Sequence, residues 1–92
     1  MALYSNEFAK TFSDLVIKSG VSCYRISQFV NLDEAYLSRL RDGQKINPSP
    51  ETVVRICLAL AHYSDKLDIT DFERLFNSSG RSLFPKQKHS PV

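Results

Sequence analysis

Apolar residues recur along this chain at intervals of three and four, the period of helices with one buried face. Phe8, Phe12, Leu15 and Val16 form the first stripe, which starts after Ser5 or Asn6, either able to cap a helix, and stops at Gly20. Ser22 is positioned to cap a second helix with Ile26, Phe29 and Val30 turned inward and Arg25 and Gln28 outward. Asn31-Leu32-Asp33 then reads as a tight turn: Asn tolerates the left-handed conformation, Leu32 tucks beneath, and Asp33 caps the next helix. From Asp33 to Arg41, Leu37 and Leu40 share one side, while Ala35, Ser38, Arg39 and Asp42 fall around the other, a short-sided polar face suited to entering a groove. Gly43 ends this helix.

Pro48-Ser49-Pro50-Glu51 is the clearest helix start in the chain, with Ser49 as cap, Pro50 in the first turn and Glu51 favourable to the helix dipole. The following VVRICLALA is apolar nearly all round, which predicts a helix at the centre of a bundle. A last helix begins near Asp68, with Leu67 and Phe72 spaced as a hydrophobic staple, Phe72, Leu75 and Phe76 on one face, and Gly80 closing it. The pattern predicts an all-α protein, a compact bundle of five short helices over residues 1–80, followed by a basic, partly disordered tail over residues 81–92.

Length and composition agree with one small globular domain: 92 residues, 42% hydrophobic and 24% charged, without an apolar run long enough for a bilayer. MALYSNEF lacks the basic-then-apolar order of a secretory signal, so a cytoplasmic location is expected. Cys23 and Cys57 stand far apart, which argues against a disulfide framework or a zinc site, and His62 and His89 have no neighbouring ligands; no metal or cofactor is expected. The net charge of +2 is small, but residues 21–46 carry +1 and residues 81–92 carry +3, against −2 over residues 65–80. Without a nucleophile beside a base, a glycine-rich phosphate loop or a paired-carboxylate cleft, the sequence does not read as an enzyme.

Five short helices, the second and third joined by this turn, resemble the lambda repressor/Cro-like helix-turn-helix family of DNA-binding domains. The resemblance spans roughly Phe8 to Phe84 and rests on Ser22, Ile26, Leu32, Leu37, Ser38, Gly43, Asn47-Pro48-Ser49 and Leu58-Ala59-Leu60, with ERLFNSSGRSLF similar to the closing segment of one branch of that family. It implies a transcriptional regulator of bacterial or phage type that places helix 33–41 in the major groove of double-stranded DNA. Glu34, Ala35 and Arg39 would then face bases, with Tyr36 and Ser38 beside them. Ser22, Cys23, Arg41, Lys45 and Asn47 would contact phosphates, which position the protein without reading sequence. A short reading helix implies a dimer on a two-fold site or a larger assembly, and Phe72, Phe76, Leu83 and Phe84 are the candidates for self-association.

The chain departs from the family pattern at Cys23, where Gln is usual, at Ser27, where Ala is, at Asn31, where Gly is, and at Arg41, often Glu. Cys is too short to reach a phosphate and brace the reading helix as Gln does, and Glu34 puts a carboxylate at the groove end of helix three. Cys23, Glu34, the low net charge and the apolar tail motivate an alternative from a different class, a protein-protein interaction module that keeps the frame without binding DNA. No membrane partner or small-molecule substrate is expected from the sequence.

Overall fold

A computed structural model describes residues 6–44 and 48–79, which form five helices and no strand: α1 (Glu7–Ser19), α2 (Cys23–Val30), α3 (Glu34–Asp42), α4 (Pro50–Tyr63) and α5 (Ile69–Ser78). No helix among these residues is long and apolar enough to cross a membrane.

The start and stop signals act through identifiable bonds. Asn6 Oδ1 accepts from the Ala9 amide at 2.7 Å, Ser22 Oγ from Arg25 at 3.2 Å and Ser49 Oγ from Thr52 at 3.1 Å, each satisfying an amide that the first helical turn leaves open. Gly20 and Gly43 follow their helices with φ of 76° and 87°. At Gly43 the amide donates to Leu40 and that of Gln44 reaches back to Arg39 at 2.8 Å, the paired bonds of a Schellman ending. Asn31 adopts φ 58° and ψ 45°, as expected of the turn residue.

The core is built from Phe8, Phe12 and Leu15 of α1, Ile26 of α2, Leu37 and Leu40 of α3, Val53, Ile56 and Leu60 of α4, and Leu75 of α5. The principal packing partners run α1 to α3, α3 to α2, α2 to α4, α4 to α5 and α5 back to α1, a closed ring. Leu67 and Phe72, flanking the Asp68 cap, are both half-buried against this core.

Five expectations need correction. Asp33 occupies the cap position of α3 but its side chain makes no capping bond, and the helix runs from Glu34 to Asp42 rather than ending at Arg41. Phe29 is 42% exposed, because the buried seam of α2 is Cys23, Ile26, Ser27 and half-buried Val30, a row that leaves Phe29 on the flank. α4 is not enclosed: Val54 and Leu58 are 42% and 56% exposed, since the buried face of α4 is the one bearing Val53, Ile56, Ala59 and Leu60. Cys57, expected in the core, is half-buried beside that open face. Together with Ala61 of α4 and Ile69, Phe72 and Phe76 of α5, Val54, Cys57 and Leu58 line a wholly apolar groove of about 210 Å³.

Candidate functional site

The short turn at Asn31 to Asp33 returns the chain so that α3 packs beside α2, and the fully buried Leu37 and Leu40 fix which side of α3 looks outward. Its first turn presents Glu34 and Ala35 to solvent; Tyr36, Ser38, Arg39 and Arg41 are half-buried, and Asp42 is exposed. Tyr36 leans onto the core, which takes much of its ring away from the outward face. By the 100° step, Ala35, Arg39 and Asp42 form one outward row, while Glu34, Ser38 and Arg41 form a second row turned toward the start of α2.

That second row meets Cys23. Arg41 Nη1 donates to Cys23 Sγ at 3.6 Å, and Arg41 Nε donates to Asp42 Oδ1 at 3.1 Å. Burial is the largest influence on the Cys23 thiol and pushes its pKa up; Arg41 and a hydrogen bond with Ser38 act in the opposite direction, and Glu34 and Asp42 add to the rise. The thiol is therefore held protonated between two helices. Cys23 is 3% exposed, so its side chain is part of the core, as its place in the α2 seam requires, and only its amide lies at the open start of the helix. What remains at the surface here is Ser22 and the amide end of α2, with the Arg41 guanidinium alongside.

Of the residues assigned to phosphates, the structure brings Ser22, Cys23 and Arg41 to one end of α2; Lys45 and Asn47 lie outside the described residues. Arg39 stands in the outward row, and among the described residues its guanidinium has no ion-pair partner within 4.0 Å. Phe72 and Phe76, assigned to self-association, line the apolar groove on α5, with Phe76 itself buried; Leu83 and Phe84 lie outside the described residues.

Three sets of contacts that orient the site were not foreseen from the sequence. Arg25 sits over the Tyr63 ring at 5.1 Å, and Phe29 stacks on His62 with centroids 4.4 Å apart, so the flank of α2 is fastened to the end of α4. Arg55 Nη1 donates to the Val30 carbonyl at 3.3 Å, satisfying an acceptor at the end of α2. Asp71, at 5% exposure, takes Lys18 Nζ on both oxygens at 3.2 and 2.9 Å, and also receives the Asp68 amide, while Asp68 receives that of Asp71. Burial would raise the Asp71 carboxyl, but these donors and the Lys18 and Arg74 charges outweigh it and hold the pKa below the ordinary value. The spacing Asp68-x-x-Asp71 is a variant of the capping box and was the signal available for this pair; its ion pair with α1 had none.

Among the described residues no group of three or more His, Cys, Asp or Glu side chains could hold a metal ion. No family model matches the chain, and comparison with curated proteins and with solved structures gives no match.

Proposed function

We propose that the protein is a sequence-specific double-stranded DNA-binding domain of the lambda repressor/Cro-like helix-turn-helix type, acting as a transcriptional regulator with α3 in the major groove. The observation that carries this reading is the Arg39 guanidinium, on the outward row of α3 beside Ala35 and, among the described residues, without an ion-pair partner. A guanidinium in that position offers the bidentate contact to guanine, and Ala35 the apolar contact to a thymine methyl. Ser22, the first amides of α2 and Arg41 supply donors for a phosphate on the flanking backbone. Glu34, exposed at the first position of α3, fits an acceptor for a cytosine amino group. One nine-residue helix reads few base pairs, so a second copy or an assembly partner would complete the site.

A salt titration against random duplex DNA tests this. Phosphate attraction should give measurable affinity at low ionic strength that falls log-linearly as salt rises. No affinity there would overturn the reading and leave the protein-interaction alternative.

A further inference from the structure

Three of the six large hydrophobic residues exposed among the described residues, Val54, Leu58 and Ile69, border one groove. Such clustering leaves apolar surface that water solvates poorly, and it calls for an occupant. At about 210 Å³ the groove is sized for one or two side chains: a cavity of roughly 150 Å³ already holds a benzene ring. It has little room for a helical face of a second protein, which needs on the order of 800 Å² per partner for a stable interface.

The chain itself carries a fitting occupant. Because α4 and α5 are joined by residues 64–68, Ala61 and Ile69 mark the link end of the groove, and Val54 and Phe76 the other. The chain leaves α5 just beyond Phe76, at the far end. Within residues 81–92 the one adjacent pair of large apolar side chains is Leu83-Phe84, and Pro85 biases Phe84 toward an extended backbone. The span from Phe76 back to Ile69 is about 10 Å at 1.5 Å per helical residue. Measured from Ser79, three residues past Phe76, residues 80–84 reach roughly 16 Å when extended, enough to lay Leu83 and Phe84 back over the Phe76 and Phe72 part of the groove. We propose that the C-terminal segment folds back on its own chain and seats Leu83 and Phe84 in the groove between α4 and α5. A tether this short gives an effective concentration on the order of millimolar, which favours the segment over a second copy at ordinary protein concentrations.

Cys57 lines the groove and reports its occupancy. In the full chain, alkylation of Cys57 by N-ethylmaleimide, followed by peptide mass spectrometry, should be several-fold faster in a Leu83→Ser/Phe84→Ser double variant than in the unaltered protein. Buried Cys23 serves as the internal reference and should react equally slowly in both. The protection should be independent of protein concentration. Equal Cys57 rates in the two proteins would overturn the proposal, as would protection that grows with concentration, which would assign the groove to a second copy. Parallel acceleration of Cys23 would also overturn it, since the variant would then be loosening the whole fold.

Discussion

Arg41 reaches from the last turn of α3 to the thiol of Cys23 in the first turn of α2, a contact of 3.6 Å between residues 18 apart in sequence. It sets a cation beside the amide end of α2 while that helix's own first side chain is turned into the core. Two roles are thereby divided: Cys23 packs, and Arg41 supplies the charge.

If Arg41 contacts a phosphate, Arg41→Ala should weaken binding to all duplex sequences alike and reduce the slope of log affinity against log salt by about 1. Fluorescence anisotropy at several salt concentrations measures both. A change of preference among sequences, with an unaltered slope, would take Arg41 off the phosphate list.

Arg39→Ala should behave differently, costing roughly 1–3 kcal/mol on the preferred site and relaxing the preference at one base pair. Selection of bound sites from a random duplex library, carried out on both proteins, reads this directly. Equal losses on every sequence would assign Arg39 to the backbone instead.

The turn between α2 and α3 gives a stability prediction. Asn31 at φ 58° is the one non-glycine residue with positive φ among the described residues. Asn31→Gly should leave stability nearly unchanged, whereas Asn31→Val should cost about 1–2 kcal/mol, because a branched side chain is strained in the left-handed region. Urea denaturation of the two variants decides it; equal midpoints would mean that the turn can relax to another conformation.

The depressed Asp71 pKa makes part of the stability pH-dependent. Because the folded-state value lies below the unfolded one, the carboxylate contributes its full stabilisation above the unfolded value of about 3.9 and loses it as the pH falls through the folded value. Asp71→Ala removes the return half of the capping box and the Lys18 ion pair together. It should cost about 1–3 kcal/mol near neutral pH. In thermal melts the gap between the two proteins should be constant near neutral pH and shrink in acid. A gap that widens in acid would contradict the assignment.

The helices were legible because each has a local signal: Ser22, Ser49 and Asp68 at starts, Gly20 and Gly43 at ends, and apolar residues three and four apart between them. Side-chain facing was less legible. Phe29 and Cys23 lie on neighbouring sides of α2, and hydrophobicity alone favours burying the phenyl ring. The helix was turned the other way by its two neighbours, with Cys23 against Arg41 of α3 and the Phe29 flank against His62 of α4. The open face of α4 was missed for a related reason: composition reports that Val54 and Leu58 are apolar, but only the placement of α5 decides whether anything covers them. At the candidate site, the outward positions of Ala35 and Arg39 followed from the helical step, whereas the Arg41–Cys23 contact depends on an interhelical distance that one sequence does not contain.

The ion pair between Lys18 and Asp71 joins residues 53 apart and fastens the α5-to-α1 side of the ring. The other four sides are formed by helices nearer in sequence, so this side demands a large loss of chain entropy for its first contact. We expect it to form after the folding barrier has been crossed. Asp71→Ala should then speed unfolding while leaving refolding nearly unchanged in stopped-flow chevrons, making the first and last helices the latch that sets how long the folded chain persists.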